Sequence, residues 1–269
     1  FGEDPSLNQG ARGEETFKEL KVKINQAAEI RLYQQGKSVT LKRNEGLWTI
    51  LEREGFRAKG NKVRDLLRGI ALSERREPKT ASNDRFDQIG LGNKTLNIEV
   101  YDTNSELLTK FKMGSRQENS ASGRSLTYIY KDGDTRSWLV SALSAANADA
   151  SWWLDDDLFL IDANRTLELK TQNILFKRDA ATNSYLIYNP ETSDTTAVNT
   201  SPSNVIEFLS NIIFTDIRRY TDHTPEPVAK GYLKTYDGLT LSYSLYMIDN
   251  QNWLKVKASF NPDARDAGT

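Results

Sequence analysis

The sequence predicts an α+β fold of two tandem, internally duplicated modules. Each module contains mainly antiparallel strands and one principal amphipathic helix. Three observations predict this fold: short runs of β-forming residues, tight turns between those runs, and a pattern that occurs twice. Strands that follow each other through tight turns pair antiparallel. A Rossmann-type fold would instead need strands and helices that alternate throughout the chain.

The repeated pattern consists of short apolar and charged segments. Residues 30–32 (Ile-Arg-Leu) match residues 167–169 (Leu-Glu-Leu), which lie 137 positions later. Residues 41–43 and 100–102 match residues 176–178 and 235–237, each 135 positions later. Solenoid repeats have periods of roughly 20–50 residues, so this longer period indicates a duplicated module.

The first module is predicted to contain strands on both sides of a helix. Strands are expected over residues 29–33, 38–42 and 47–50, and later over 96–101, 107–113, 125–130 and 137–140. Between the two groups, Asn61 is expected to cap a helix with Val63, Leu66, Leu67 and Ile70 on its apolar face. Residues 114–124 are expected to form a mobile Gly/Ser/Asn-rich hairpin loop, and residues 140–148 a short helix-like stretch.

The second module repeats this order. Strands are expected over residues 166–171, 174–177 and 185–188, and later over 231–236, 239–246 and 253–259. Ser201-Pro202 is expected to open the second helix, because Ser suits the N-cap and Pro the first turn. The predicted division is a flexible N-terminal tether over residues 1–19, a first module over 20–150 and a second over 151–269. The chain starts at Phe1, which we interpret as a removed signal or anchor segment or as a cut chain.

Composition excludes several classes of function. The 36 Lys and Arg residues balance 37 Asp and Glu residues, giving a net charge of −1, so no nucleic-acid partner is predicted. The chain has no cysteine, which excludes disulfides, thiolate catalysis and Cys-ligated metals. His223 is the single histidine, in a Pro-flanked segment, and is interpreted as a loop residue.

No catalytic, cofactor-binding or metal-ligating residue is predicted, and no cofactor. The run Asp155-Asp156-Asp157 lacks the alternation of a calcium loop and is interpreted as a linker or helix cap. The adjacent Trp152 and Trp153 cannot easily face one core, so at least one is expected at the module interface or on an exposed patch. Tyr243 and Trp253 fit either the core side of a strand, which is usual for aromatic residues, or the lining of a cleft. The predicted interaction surface is Trp152, Trp153, Asp155, Tyr243 and Trp253.

Several short motifs occur together in a spacing that points to one family. They are residues 46–50 (Gly-Leu-Trp-Thr-Ile), the helix after Asn61, residues 89–91 (Ile-Gly-Leu), residues 111–114 (Phe-Lys-Met-Gly) and residues 153–155 (Trp-Leu-Asp). This set resembles the bacterial domain of unknown function 4340 family over residues 20–260. The resemblance implies an exported or membrane-anchored protein, sometimes encoded beside an ABC-type transporter and its gliding-motility-auxiliary-like subunit. It implies no catalytic residues.

The leading functional prediction is a non-catalytic, exported accessory protein of the bacterial envelope that assists ABC-type transport or envelope assembly through protein–protein contacts. We expect a periplasmic or extracytoplasmic location, with membrane association only through an N-terminal anchor. One alternative is a carboxylate-based hydrolase or glycan-active enzyme in a groove between the modules. The other is a small-molecule or lipid-binding protein with a deep apolar pocket.

Overall fold

The computed structural model describes residues 12–119, 124–156, 161–179, 185–188, 195–197, 213–221 and 224–264. Its contacts divide the chain into two compact units. Unit 1 is Phe1–Asp155 with Thr215–Arg218, and unit 2 is Asp156–Phe214 with Arg219–Thr269. Across the described ranges, no helix is long and apolar enough to cross a membrane.

Unit 1 is built on one antiparallel sheet. Its helices are α1 (Lys18–Lys23) and α2 (Gly60–Ala71). Its strands are β1 (Ala27–Gln34), β2 (Lys37–Asn44), β3 (Leu47–Ile50), β4 (Phe56–Arg57), β5 (Arg75–Pro78), β6 (Leu96–Asp102), β7 (Leu107–Asn119), β8 (Arg124–Lys131) and β9 (Trp138–Val140). Within the described part of unit 1, these nine strands have the order β4-β3-β2-β1-β6-β7-β8-β9-β5.

Unit 2 contains a second antiparallel sheet. Its strands are β10 (Thr166–Lys170), β11 (Leu175–Arg178), β12 (Tyr185–Tyr188), β13 (Thr195–Ala197), β14 (Ala229–Thr235), β15 (Leu239–Ile248) and β16 (Gln251–Phe260). Counting only described residues, these seven strands have the order β13-β12-β11-β10-β14-β15-β16. The predicted α+β class and the antiparallel pairing are confirmed.

Turn chemistry sets the hairpins. Gln35-Gly36, Glu45-Gly46 and Asp249-Asn250 all have positive φ at both positions. Two consecutive left-handed residues form the type I′ turn, whose twist matches that of the flanking strands. Consequently β1–β2, β2–β3 and β15–β16 are tight antiparallel hairpins, as the sequence predicts.

The core of unit 1 lies under the alternating apolar residues of its central strands. Ile30 pairs with Leu41 on one side and Val100 on the other, and all three are buried. The predicted helix is present as α2, with Val63, Leu66 and Ile70 fully buried and Leu67 partly buried. The predicted cap is wrong, because the helix begins at Gly60 with Lys59 at the N-cap, and Asn61 lies inside it. A Cβ at Gly69 would lie 2.7 Å from the carbonyl oxygen of Ala142, so glycine permits close packing of this helix.

The predicted tether over residues 1–19 is wrong for its described part. Phe17 is buried, with its ring 4.8 Å from that of Phe111, and α1 begins at the next residue. The Ser73 hydroxyl donates a hydrogen bond to the Thr16 hydroxyl at 3.0 Å, and both residues are buried. Residues 12–19 therefore pack onto unit 1. The Gly- and charge-rich composition of the segment predicted a tether, but the single buried ring of Phe17 anchors it.

Two further expectations in unit 1 are corrected. Most of the predicted mobile loop over 114–124 is strand, since β7 continues to Asn119 and pairs with β8 after a bulge between Met113 and Arg116. The predicted helix-like stretch over 140–148 is not helical. Ala142 has a φ of 69°, a left-handed conformation that stops a right-handed helix. The helix predicted from Ser201-Pro202 lies outside the described residues.

The two sheets share two local features, a register shift and a turn held by a side chain. A register shift separates Ala27 from Glu29 in the β1–β6 pair, and another separates Thr166 from Glu168 in the β10–β14 pair. In the turn after β6, the Asp102 carboxylate accepts from the backbone N–H of Glu106 at 2.9 Å. In the turn after β14, the Thr235 hydroxyl accepts from the N–H of Leu239 at 3.1 Å. Each turn is therefore held by a side-chain oxygen bonded four residues ahead.

Candidate functional site

Unit 1 contains a groove of about 810 Å³, which we call the arginine groove. It lies between α2, the β2–β3 turn, β4 and the short 3₁₀ turn Ile24–Gln26. Its charged lining residues are Arg43, Arg57, Arg64, Arg68 and Asp155. Its other lining residues are Ile24, Asn25, Ala27, Gly46, Leu47, Trp48, Ala58, Gly60, Leu67, Ala71 and Leu72.

Helix α2 supplies one wall of the groove. Its buried residues face the sheet, while Arg64 and Arg68 lie one turn apart on its exposed surface. Residues four apart on a helix are neighbours on one face, so the two guanidinium groups line the same side. Leu67 and Leu72 add apolar surface beside them, and Leu72 is 48% exposed.

The opposite wall is held by backbone hydrogen bonds. The N–H of Ala58 donates to the Trp48 carbonyl at 2.8 Å, and the N–H of Lys59 donates to the Trp153 carbonyl at 2.7 Å. An isolated antiparallel bridge joins Ala58 to Leu154. The chain just before Asp155 is thereby fixed along β4, which brings this carboxylate into the groove.

The groove carries an excess of positive charge. Asp155, its one lining carboxylate, accepts from the Arg57 guanidinium at 2.5 Å. Arg43 donates to the Asn25 carbonyl at 3.3 Å, and no carboxylate of the described residues lies within ion-pair distance of it. In the part of the chain that the structure describes, Arg64 and Arg68 have no carboxylate within ion-pair distance. Three cationic side chains are therefore available to an anionic ligand.

A capped 3₁₀ turn comes just before Asp155 in the chain. Asp149 caps the 3₁₀ segment Ala150–Trp153 by accepting from the Ser151 N–H at 3.1 Å, and it also pairs with Lys37 at 2.7 Å. The hydrogen bond from Lys37, followed by those from Ser151, holds the pKa of Asp149 at about 2. The carboxylate therefore stays charged at neutral pH and keeps this turn in place.

Comparison with known families decides the classification. The family model for a domain of unknown function (DUF4340) matches residues 48–230, more than half of the chain. This chain belongs to the DUF4340 family. Among curated proteins, none matches it. The matched range includes three of the four groove arginines, Arg57, Arg64 and Arg68, together with Asp155.

The structure distributes the predicted interaction surface of this DUF4340 chain over both units. In unit 1, Trp153 is fully buried, and its indole N–H donates to the Asn147 carbonyl at 2.8 Å. It is a core residue and cannot contribute to an interaction surface. Trp152 is half-buried, packs edge-on against Trp153 and lies 4.0 Å from the Lys62 ammonium. Of the three residues predicted here, Asp155 is the one that lines the groove.

In unit 2, the predicted cleft between Tyr243 and Trp253 does not exist. Tyr243 pairs with Val256, whereas Trp253 pairs with Tyr246, so the two aromatic residues lie on opposite faces of the sheet. The Tyr243 hydroxyl donates to the Lys170 carbonyl at 2.8 Å, and burial raises its pKa. Its ring passes over Gly231, where a Cβ would lie 2.3 Å from the tyrosine oxygen. Tyr243 is therefore a packing residue.

Two residues considered in the sequence, Asp157 and His223, lie outside the described residues. Among the residues that are described, no group of three or more His, Cys, Asp or Glu side chains could hold a metal ion. The sequence reasoning missed the groove arginines. A signal for two of them was present, since Arg64 and Arg68 are four residues apart on the polar side of a predicted amphipathic helix.

Proposed function

We propose that this DUF4340 protein is a non-catalytic binding protein whose arginine groove receives an acidic, partly apolar segment of another protein. The observation that carries the proposal is the composition of the groove, in which four arginines face one carboxylate across an apolar floor. Arginine binds carboxylates through two parallel hydrogen bonds, which makes it suited to recognising acidic side chains.

The spacing of the arginines favours an extended protein segment. Cβ atoms four residues apart on a helix are about 6 Å apart, which is the expected separation for Arg64 and Arg68. Alternate side chains of an extended strand project on one side, roughly 6.6 Å apart. Two acidic residues at alternate positions therefore match the two arginines, and an apolar neighbour can contact Leu47 or Leu72, which are 56% and 48% exposed.

The groove is less suited to the hydrolase alternative. Glycoside hydrolysis by the usual mechanism uses two carboxyl groups that flank the scissile bond. The arginine groove offers Asp155 alone, and its ion pair with Arg57 occupies that carboxylate. The groove chemistry thus favours binding over a two-carboxylate mechanism at this place.

A peptide-binding measurement tests the proposal. A fluorescent extended peptide with Glu at alternate positions and one Leu is titrated with the protein, and anisotropy is recorded. Arg64→Glu with Arg68→Glu is expected to weaken binding at least about a hundred-fold, because two charge-assisted hydrogen-bond sets are lost. The matched control is Arg85→Glu, an exposed arginine of unit 1 outside the groove. Equal weakening by the control, or no binding by the natural protein, would contradict the proposal.

We further propose an extracytoplasmic role in the bacterial envelope, assisting an ABC-type transport assembly. This role rests on the family resemblance. It predicts that the tagged protein co-purifies with transporter subunits from envelope membranes and that Arg64→Glu with Arg68→Glu removes them. Co-purification that is unchanged by the double variant would separate the envelope role from the groove.

We also propose that units 1 and 2 derive from one duplicated module. The shared strand arrangement around β1 and β10, the register shifts at Ala27 and Thr166, and the capped turns at Asp102 and Thr235 support it. The registers place Thr166 139 positions after Ala27, and Thr235 133 positions after Asp102, so the sequence matches at residues 30–32 and 100–102 are each two positions away from the structural correspondence. Solving unit 2 by crystallography, with residues 201–212 included, tests whether a helix equivalent to α2 covers its sheet.

A further inference from the structure

One face of the second sheet is crowded with lysines, and we call it the lysine face. The register of the strands places these lysines on the same side of the sheet, because directly paired residues share a face. Glu168 pairs with Lys177 and with Lys234, and Lys170 pairs with Tyr232. Ser242 pairs with Tyr232 and Lys257, and Ser244 pairs with Lys230 and Lys255. The charged members are Glu168, Lys170, Lys177, Lys230, Lys234, Lys255 and Lys257.

The charge of the lysine face is largely uncompensated. Lys234 lies 3.8 Å from Glu168, and the Tyr232 hydroxyl also donates to that carboxylate. For the other five lysines, no carboxylate of the described residues lies within ion-pair distance. Lys177, Lys230, Lys255 and Lys257 are exposed to solvent. The local charge therefore differs strongly from the net charge of −1 of the whole chain.

The face is broad and its other side is covered by core. Neighbouring strands lie about 4.8 Å apart, so the lysines of β11, β10, β14 and β16 are spread over roughly 20 Å. The reverse side carries Leu169, Phe176 and Leu233, which are buried in the core of unit 2. The lysines thus form a broad array of charges on a packed support, and Tyr220 lies over part of the face at Tyr246, where the two ring centres are 6.0 Å apart.

The aromatic rings of the face are already occupied by lysines. Lys234 lies 4.7 Å from the Tyr232 ring centre, Lys255 lies 3.4 Å from that of Tyr220, and Lys177 lies 5.8 Å from that of Tyr188. Proteins that bind single-stranded nucleic acid use open aromatic rings on which bases stack. Tyr246 and Trp253, which pair with each other on the same face, are buried and half-buried, so the exposed ammonium groups are the recognition elements.

We propose that the lysine face binds the surface of an anionic phospholipid bilayer. Ammonium groups are strongly hydrated point charges that do not demand the bidentate geometry of arginine, and a bilayer offers many phosphates in one plane. A broad array can contact several of them at once. The attraction acts over about a Debye length and weakens as salt increases. This membrane contact is independent of the arginine groove.

Vesicle co-sedimentation tests this inference with the full chain. Vesicles of phosphatidylcholine mixed with phosphatidylglycerol are compared with vesicles of phosphatidylcholine alone, at low and at raised salt. Each lysine near an anionic surface contributes about five-fold to binding, so Lys230→Gln, Lys255→Gln and Lys257→Gln together are expected to weaken it about a hundred-fold. The matched control is Lys23→Gln, Lys42→Gln and Lys94→Gln, three exposed lysines of unit 1 with the same change in charge.

Each outcome decides the inference. Binding to anionic vesicles that salt weakens, that the unit 2 triple variant loses and that the unit 1 triple variant keeps supports it. Equal losses in both triple variants would show a non-specific charge effect and overturn it. Competition by single-stranded DNA at lower concentration than by anionic vesicles would overturn it in favour of nucleic acid. Circular dichroism of both variants checks that they are folded.

Discussion

The two sheets have similar strand arrangements, but the charges on the polar face of the first are paired, whereas the polar face of the second is cationic. On the first sheet, Arg31 pairs with Glu29 at 2.6 Å and lies 4.6 Å from the Tyr101 ring centre. Glu99 accepts from the Tyr101 hydroxyl at 2.7 Å and pairs with Lys110 at 3.0 Å. Each cation of this network has an acid beside it. On the second sheet, six lysines lie on the face that holds Glu168, and of these, among the described residues, Lys234 alone is within ion-pair distance of that carboxylate.

One cross-strand pair illustrates the difference. Arg31 of β1 lies opposite Glu99 of β6, whereas Lys170 of β10 lies opposite Tyr232 of β14. A carboxylate on one sheet thus has a phenol at the corresponding place on the other. Two antiparallel sheets with similar strand arrangements thus carry a surface of paired charges in unit 1 and a cationic surface in unit 2, according to the residues on their polar faces.

The largest effects are expected from the apolar faces, where the sheets are alike in pattern. Ile30 and Leu169 are each fully buried at the centre of their sheets. Ile30→Ala is expected to lower the free energy of unfolding by about 4 kcal/mol, and Leu169→Ala by about 2–3 kcal/mol. The loss in unit 2 is smaller because half-exposed neighbours such as Leu241 can relax into the cavity.

Urea unfolding monitored by circular dichroism and tryptophan fluorescence measures both losses. Leu107→Ala is the control, because Leu107 is 52% exposed and its truncation creates no cavity. If Leu169→Ala costs as much as Ile30→Ala, the second core is as tightly packed as the first, and the contrast between the units is confined to their polar faces.

An intermediate effect is expected from Glu99→Gln. Burial tends to raise the pKa of Glu99, but hydrogen bonds from Tyr101 and Lys110 and the charge of Arg31 outweigh it, so the pKa is lowered. Loss of these charge-assisted bonds is expected to cost about 1–3 kcal/mol at neutral pH. A carboxylate with a lowered pKa stabilises the fold above its ordinary pKa of about 4.3, and that contribution disappears as the pH falls.

The measurement is urea unfolding of the natural protein and Glu99→Gln at neutral pH and at about pH 3, below the ordinary pKa of glutamate. The difference between the two proteins should shrink in acid. If the difference in free energy of unfolding stays constant with pH, Glu99 acts through its shape and not its charge, and it does not contribute to the charge contrast between the two faces.

The smallest effect is expected from Tyr232→Phe on the second sheet. Burial, followed by the hydrogen bond to Glu168, raises the pKa of Tyr232 to about 12. A raised pKa stabilises the fold below the ordinary tyrosine value of about 10, and the contribution is lost as the pH rises through about 12. Removing the hydroxyl is expected to cost about 1 kcal/mol at neutral pH.

Urea unfolding at neutral pH measures this cost. Ultraviolet titration of the phenolates tests its cause, since the variant should lack the group that titrates near pH 12. Tyr33→Phe is the matched control, because Tyr33 is 38% exposed. A high-pH titration that is identical in Tyr232→Phe and the natural protein would show that another tyrosine is responsible.

Strands and turns were predictable from the sequence because their determinants are local. Alternation of apolar residues identifies β1 and β2, and Gln35-Gly36 and Glu45-Gly46 specify the turns that connect β1 to β2 and β2 to β3. The extended β7 hairpin was not predictable, because a bulge after Met113 carries the strand through a segment rich in Gly and Ser. The packing of Phe17 on Phe111 joins residues far apart in sequence and leaves no local pattern.

Both candidate binding surfaces lay beyond sequence reasoning for the same reason. Arg43, Arg57 and Arg68 come from three separate elements, and pairing of β4 with its neighbours brings them to one groove. The lysine face depends on the register of β14, β15 and β16, which decides that Lys230 and Lys255 share a side. A balanced total charge hides such segregation, since it averages over surfaces that folding separates.

The left-handed Asp249-Asn250 turn also bears on how unit 2 assembles. It joins ten consecutive residue pairs of β15 and β16, all of them close in sequence. Hairpins of this kind form within microseconds, whereas pairing of β10 with β14 must first close the long segment between Lys170 and Lys230. We therefore expect the β15–β16 hairpin to be the folding nucleus of unit 2, so that Asn250→Pro slows refolding by removing the template onto which β14 and β10 are added.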